Sequence, residues 1–206
     1  MSTAAVILAA GEGSRFRSDS PSTTSRGTAL PPDQWGHKLR AEIGGVAVVR
    51  LAVDAALGAL GHGINEVVVV TGAAEFEDLL PLEQITLLTN ANWHQGMATS
   101  LAVAIDHGRS AGHGAVVVGL GDQPGLLPEA WRAVAAHDAS PIGVATYAGR
   151  RRNPVRLAAE TWDLLPTTGD EGARSLIRLH PEMVTEIPCP GNPGDIDTRE
   201  DLASWS

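Results

Sequence analysis

The sequence predicts a three-layer α/β/α domain built on a mostly parallel sheet, and three observations predict it. Apolar runs at 4–10, 66–71 and 115–120 lack the alternation of a half-solvated strand, so they read as strands buried on both faces. Segments with helical periodicity stand between the runs, as crossover connections require. The length of 206 residues, with 43% apolar and 19% charged, suits one domain over 1–206 with a full core.

The elements follow in chain order. The run 4–10 stops at Gly11, and Gly11-Glu12-Gly13-Ser14-Arg15-Phe16 follows as a tight glycine-rich loop. Residues 17–37 are rich in Ser, Thr, Pro, Asp and Gly without periodicity, which predicts a long mobile loop, functional or disordered. Val49, Leu51, Val53, Ala56, Leu57 and Leu60 give 46–60 the apolar face of a helix, ended by Gly61 and Gly63. Four successive valines mark a strand over 66–71, followed by a helix over 73–80 and a short strand over 85–88. Leu101, Ala104 and Ile105 face inward from a helix over 97–107. A strand at 115–120, a helix at 128–136 and a strand at 142–147 come next. Short helices at 158–165 and 171–179, a strand at 184–187 and a helix at 199–205 complete the order. In such sheets ligands bind beyond the carboxyl ends of the strands, which directs attention to 11–38, 71–73 and 121–125.

Composition excludes several function classes. A net charge of −9 gives no global field for a nucleic-acid backbone. Such a protein holds a triphosphate only through a local cluster of cations, backbone N–H groups or metal ions. One cysteine, Cys189, cannot form an internal disulfide, so a reducing cytoplasm is the expected compartment and a structural role its expected use. The apolar start lacks a basic n-region, against a secretory signal. No stretch reaches the roughly 20 apolar residues that span a bilayer.

Three motifs carry chemistry. In Leu8-Ala9-Ala10-Gly11-Glu12-Gly13-Ser14-Arg15 a strand ends in two glycines that admit a ligand close to the backbone, and Arg15 adds a forked cation for phosphate. Phe16 stands where the dinucleotide fingerprint has its third glycine, and the P-loop ending is missing, so the alternative is an ordinary turn. In Gly121-Asp122-Gln123-Pro124 the carboxylate follows a central strand, where Mg²⁺ is held by one or two carboxylates and substrate phosphates; a turn or cap aspartate is the alternative. In Asp195-Ile196-Asp197-Thr198 an extended chain points both carboxylates the same way, although this is also an ordinary acidic helix start capped by Thr198. His94, His107, His113 and His137 show no metal-ligand spacing, Trp93 reads first as a core anchor, and Ser100 as a helix cap. His37 neighbours Lys38, with a contact to phosphate as its minor reading.

These motifs, with Lys38-Leu39, Gly44-Gly45, the Asn90-Trp93-Gly96-Met97-Ser100-Leu101 series, Asn153-Pro154-Val155 and Gly169-Asp170-Glu171-Gly172-Ala173-Arg174, resemble the MobA-like nucleotidyltransferases. The likeness runs in order over nearly the whole chain and is nearest the molybdenum cofactor cytidylyltransferases. It implies a Rossmann-like fold of the nucleotide-diphospho-sugar-transferase type. It implies transfer of CMP from CTP to the phosphate of a molybdopterin-type acceptor, with Mg²⁺ as cofactor and a molybdenum hydroxylase as recipient of the product. Ala9 and Ala10, with Gly11, would lie against the base, and the Leu-Ala-Ala-Gly pattern that Leu8 opens goes with cytosine where Leu-Ala-Gly-Gly goes with guanine. Gly13, Ser14, Arg15 and Lys38 would hold the triphosphate. Asp122 and Asp197 would bind the metal, with Asp195 beside them and Gly121 at the turn. Thr71 and Gly72 would line the base or sugar, and Asn153, Pro154 and the Gly169–Arg174 stretch would face the acceptor, with Arg174 as the cation for its phosphate or pterin ring. Two departures stand out: a long polar insertion separates Arg15 from Lys38, and Asn153 replaces the family's frequent histidine. GTP as donor, another phosphorylated acceptor, and a non-catalytic cofactor-binding chaperone remain the rival readings.

Overall fold

The computed structural model describes residues 2–18 and 36–205. In chain order it contains β1 (Thr3–Ala9), α1 (Ser14–Ser18), β2 (Glu42–Ile43), β3 (Val46–Ala47), α2 (Val48–Leu57), β4 (Glu66–Thr71), β5 (Thr86–Thr89), α3 (Met97–Ser110), β6 (Ala115–Leu120), α4 (Pro128–Ala135), β7 (Ile142–Tyr147), β8 (Arg150–Ala158), α5 (Arg174–Leu179), β9 (Val184–Pro188) and α6 (Arg199–Ala203). Seven strands form one sheet in the order β5-β4-β1-β6-β8-β7-β9, while β2 and β3 make a separate two-residue hairpin. All pairings in the large sheet are parallel except those of β8, which runs antiparallel to both β6 and β7. No helix among the described residues is long and apolar enough to cross a membrane.

The sheet divides the core in two, and β1 shows how. Its residues are all buried, and they alternate between the layers as a period of two demands. Ala5, Ile7 and Ala9 pack on the side of α2 and α4 with Val53, Val69 and Trp131. Ala4, Val6 and Leu8 pack on the side of α3 and α5 with Leu101, Val118 and Leu176. Full burial of a Val, Leu or Ile side chain contributes about 1.5–3 kcal/mol, so this strand anchors the domain. Because β4 and β6 lie on opposite sides of β1, the chain reverses its direction of travel across the sheet there. Such a switch point opens a crevice at the carboxyl ends.

Several expectations are corrected. The segment 73–80 is a series of turns without a helix, with Phe76 fully buried. The longest strand, β8, was not expected; it forms a hairpin with β7 through Ala148 and Gly149, both with positive φ. The helix expected from 46 begins two residues later, after β3. The segment expected as a helix over 158–165 is helical at Ala159–Leu164, but as a 3₁₀ helix. The glycine loop is shorter than expected, because Ser14–Ser18 is helical. Of the long loop expected at 17–37, residues 19–35 lie outside the described residues.

Candidate active site

A cleft of about 610 Å³ opens at the carboxyl ends of β1 and β6. Drug-sized and cofactor-sized ligands occupy sites of about 300–1,000 Å³. Of the residues singled out in the sequence, Leu8, Ala9, Ala10, Gly11, Gly13, Ser14, Arg15, Lys38, Asp122, Arg174, Asp195 and Asp197 line it. Arg174, on the first turn of α5, also lines an adjoining smaller cavity with Asn153. Thr71, Gly72, Gly121 and Pro154 are not among the lining residues. Thr71 donates to Leu88 O, and a Cβ on Gly72 would meet Trp93 and the Cβ and carbonyl oxygen of Ala10 at 2.7–3.0 Å. Thr71 pairs with Ala9 in the sheet, and Gly72 packs against Ala10 at the start of the glycine loop. A Cβ on Gly121 would meet Ala9 at 3.2 Å, so its bareness lets β6 approach β1.

At the base of the cleft lies a chain of charges. Lys38 Nζ donates to Asp122 Oδ2 at 2.6 Å and to Asp197 Oδ1 at 2.8 Å. Arg15 Nη1 donates to Asp197 Oδ2 at 2.6 Å. Burial on its own would lower the Lys38 pKa, but attraction and hydrogen bonds from the two aspartates outweigh it and raise the value. Burial pushes the Asp122 carboxyl up; the Lys38 charge opposes this, while Asp195 and Asp197 add repulsion. Asp122 Oδ1 is buried with no hydrogen-bond partner. A buried, orphaned carboxylate oxygen costs stability unless something cationic reaches it, and functional sites are where such costs persist. An oxygen-only set of Asp122, Asp197 and Asp195 fits a hard divalent cation.

Local structure positions these groups. Gly13 has φ +66°, which favours glycine, and a Cβ there would press on Lys38 Cγ at 3.3 Å. A Cβ on Gly11 would meet nothing within 4 Å, which leaves that face of the loop open. His37 is buried; its Nδ1 accepts from Leu39 N, and with that tautomer Nε2 donates to Gly11 O at 2.8 Å. The histidine thus ties the lysine segment to the glycine loop, a task the sequence did not signal. Asp197 is held from below: Asp201 Oδ2 accepts from Asp197 N and Thr198 N, and Thr198 Oγ1 accepts from Asp201 N in a capping box.

The far wall comes from two joined loops. Gly96, with φ +104°, lies against Gly169, where a Cβ would come within 2.5 Å of the backbone. Ala98 N donates to Gly169 O, and Met97 N to Asp170 Oδ1 at the start of α3. Asp170 lines the cleft and was not singled out by itself in the sequence. Trp93 is half-buried and lines the cleft, in place of the core position expected. Ser100 does not cap α3; it is buried and accepts from Asn90 Nδ2. Asn153 Nδ2 donates to Gln123 Oε1, and Gln123 Nε2 to Pro193 O, which joins β8 to the loop after β6. The Asn153–Pro154 peptide is cis.

Comparison with known proteins agrees with the fold. A nucleotidyl transferase from Methanothermobacter thermautotroptrophicus superposes with a TM-score of 0.77 at 24% identity, over 98% of this chain and 95% of that one. Rv0371c from Mycobacterium tuberculosis H37Rv gives 0.79 at 23% identity, over 100% and 97%. Its complex with manganese gives 0.75 at 21%, over 100% and 98%. At these identities the likeness is one of fold. No curated protein matches the chain by sequence. The model of the MobA-like NTP transferase domain matches residues 5–184, stopping short of Asp195 and Asp197, which join the site through the fold. With that match over most of its length, the chain belongs to the MobA-like NTP transferase domain family.

Proposed function

We propose that the chain transfers CMP from CTP to the terminal phosphate of a molybdopterin-type acceptor, releasing pyrophosphate. The observation that carries the reading is the Asp122–Lys38–Asp197 bridge at the base of the cleft, with Asp122 Oδ1 left without a partner. The Ala9-Ala10-Gly11 edge supplies the reason for choosing cytosine.

The acceptor's phosphate monoester is anionic at neutral pH and needs no general base. A phosphate oxygen attacks the α-phosphorus of the nucleotide, the bond to the bridging oxygen breaks, and pyrophosphate leaves in line. The chemistry then depends on positioning two anions and on stabilising the charge that spreads between them. Arg15 and Lys38 supply that stabilisation as pyrophosphate departs. The glycine loop lets the phosphates approach the backbone, and Trp93 offers an aromatic face inside the cleft. Arg174 and Asn153, lining the adjoining cavity, orient the acceptor. A Mg²⁺ ion held by Asp122 and Asp197 would act as template and charge clamp for the phosphates. The manganese complex of Rv0371c supports a divalent requirement in this fold.

Pyrophosphate release with molybdenum cofactor and Mg²⁺, compared across CTP, GTP, ATP and UTP, tests the reading. Release with CTP alone is the expected result. Release with another nucleotide keeps the reaction and overturns the base assignment. Cofactor binding without release from any nucleotide identifies a chaperone, and neither binding nor release overturns the acceptor.

A further inference from the structure

At the opposite end of the sheet, beyond the amino ends of β1, β4 and β6, three metal-ligating side chains meet. Glu66, the first residue of β4, places Oε1 2.9 Å from His107 Nε2 and Oε2 2.6 Å from His113 Nε2. One ligand atom from each of the three lies within 4.8 Å of the others. His107 sits on the last turns of α3 and His113 in the reversal before β6. That reversal is fixed: Ala111 N donates to His107 O, His113 N to Gly108 O, and Gly112 has φ +74°.

The groups behind the ligands are in place as well. Ser2 Oγ lies 2.8 Å from His113 Nδ1, and Gly114 N donating to Ser2 O holds that serine. With Nδ1 donating to Ser2, Nε2 keeps its lone pair for a metal. Thr86 Oγ1 donates to Glu66 Oε1 at 2.6 Å. Such outer partners orient metal ligands and set the imidazole tautomer. The side chain of His113 is 6% exposed, while those of Glu66 and His107 are about a quarter exposed, at 25% and 24%. One flank of the cluster is thus buried and the other open to water.

We propose that Glu66, His107 and His113 form a zinc site, distinct from the cleft, with water as fourth ligand. Two imidazole nitrogens and one carboxylate oxygen suit tetrahedral Zn²⁺, with ligand bonds of about 2.0–2.2 Å, and one donor atom from each residue already stands within 4.8 Å of the other two. A small outward rotation of the two rings admits the ion. The ion would join the end of α3 to the starts of β4 and β6, at the end of the sheet remote from the cleft.

The test uses the whole chain, stripped with chelator and carrying Asp122→Asn and Asp197→Asn so that the cleft's oxygen ligands are disarmed. With Asp195→Asn added to the same background, since Asp195 also lines the cleft, it is titrated with Zn²⁺ by calorimetry and with Co²⁺ by visible absorption. The expected result is one equivalent of zinc, an intense tetrahedral cobalt spectrum and a higher Tm with zinc. In the same background, His107→Ala lowers zinc affinity by at least about 100-fold and Ser2→Ala by about 10-fold, the latter being typical of an outer partner. His107 is partly exposed, so its truncation leaves the core intact, and Glu66→Gln provides a second disabling variant. No zinc uptake by the folded protein would overturn the site and leave a hydrogen-bonded cluster. Uptake unaffected by either His107→Ala or Glu66→Gln would place the ion elsewhere and overturn it equally.

Discussion

Asp122 concentrates the conflict between stability and function in one residue. Burial raises its pKa above the ordinary carboxylate value, so the folded protein holds this proton more tightly than the unfolded chain does. The associated stability is fully present below the unfolded pKa and is lost as pH rises through the folded one. At neutral pH the ionised group therefore destabilises the fold. Asp122→Asn keeps the shape, removes the penalty and leaves Lys38 paired with Asp197. The variant is expected to lose turnover and to gain in Tm at neutral pH. The gain should shrink as the pH of the melt falls toward the unfolded carboxylate pKa. A gain that is absent at pH 7, or that grows in acid, would show that Asp122 is not under strain. The residues of this centre were legible in the sequence only as members of an ordered family pattern. Singly, each had an ordinary alternative as a turn, a cap or a solvated charge. The Glu66-His107-His113 cluster was not legible, because 41 and 6 residues separate its members and no helix or strand period links them.

Among the elements, strands β1, β4 and β6 were plain in the sequence because burial on both faces admits nothing polar. Strand β8 was hidden by Arg150, Arg151, Arg152 and Pro154. The three arginines lie on the exposed part of the hairpin, and only Pro154, Val155, Arg156 and Leu157 are buried in the sheet's interior. The turn at 73–80 looked helical because its apolar residues fall at helical spacing, but Phe76 enters the core from an irregular chain and tertiary packing overrides local preference. Strand β6 carries a further constraint at Gly119. A Cβ there would come within 2.8 Å of the fully buried Trp131 ring on α4. Gly119→Ala is expected to cost about 1–3 kcal/mol by overpacking. Urea unfolding would show it as a lower midpoint at unchanged slope; an unchanged midpoint would mean that α4 yields without cost.

For the whole molecule, a net charge of −9 sets the terms of nucleotide binding. A triphosphate approaches a protein of its own sign and meets Asp122, Asp195 and Asp197 inside the cleft. Nucleotide with Mg²⁺ is expected to stabilise the fold far more than nucleotide with chelator. At a concentration of about 100 Kd the gain is about 2.7 kcal/mol, hence several degrees in Tm. Equal shifts with and without the metal would show that Arg15, Lys38 and the backbone suffice.

The alternation of β1 has one more consequence, for how the gene can vary. Each residue from Thr3 to Ala9 is assigned to one core or the other by parity, and the glycine loop is placed by counting from the same start. Exchanging one aliphatic side chain for another leaves both assignments standing. Inserting or deleting a single codon inverts the parity of everything downstream in the strand and moves the loop by about 3.3 Å. Strand β1 should therefore drift freely in spelling yet tolerate no change in length.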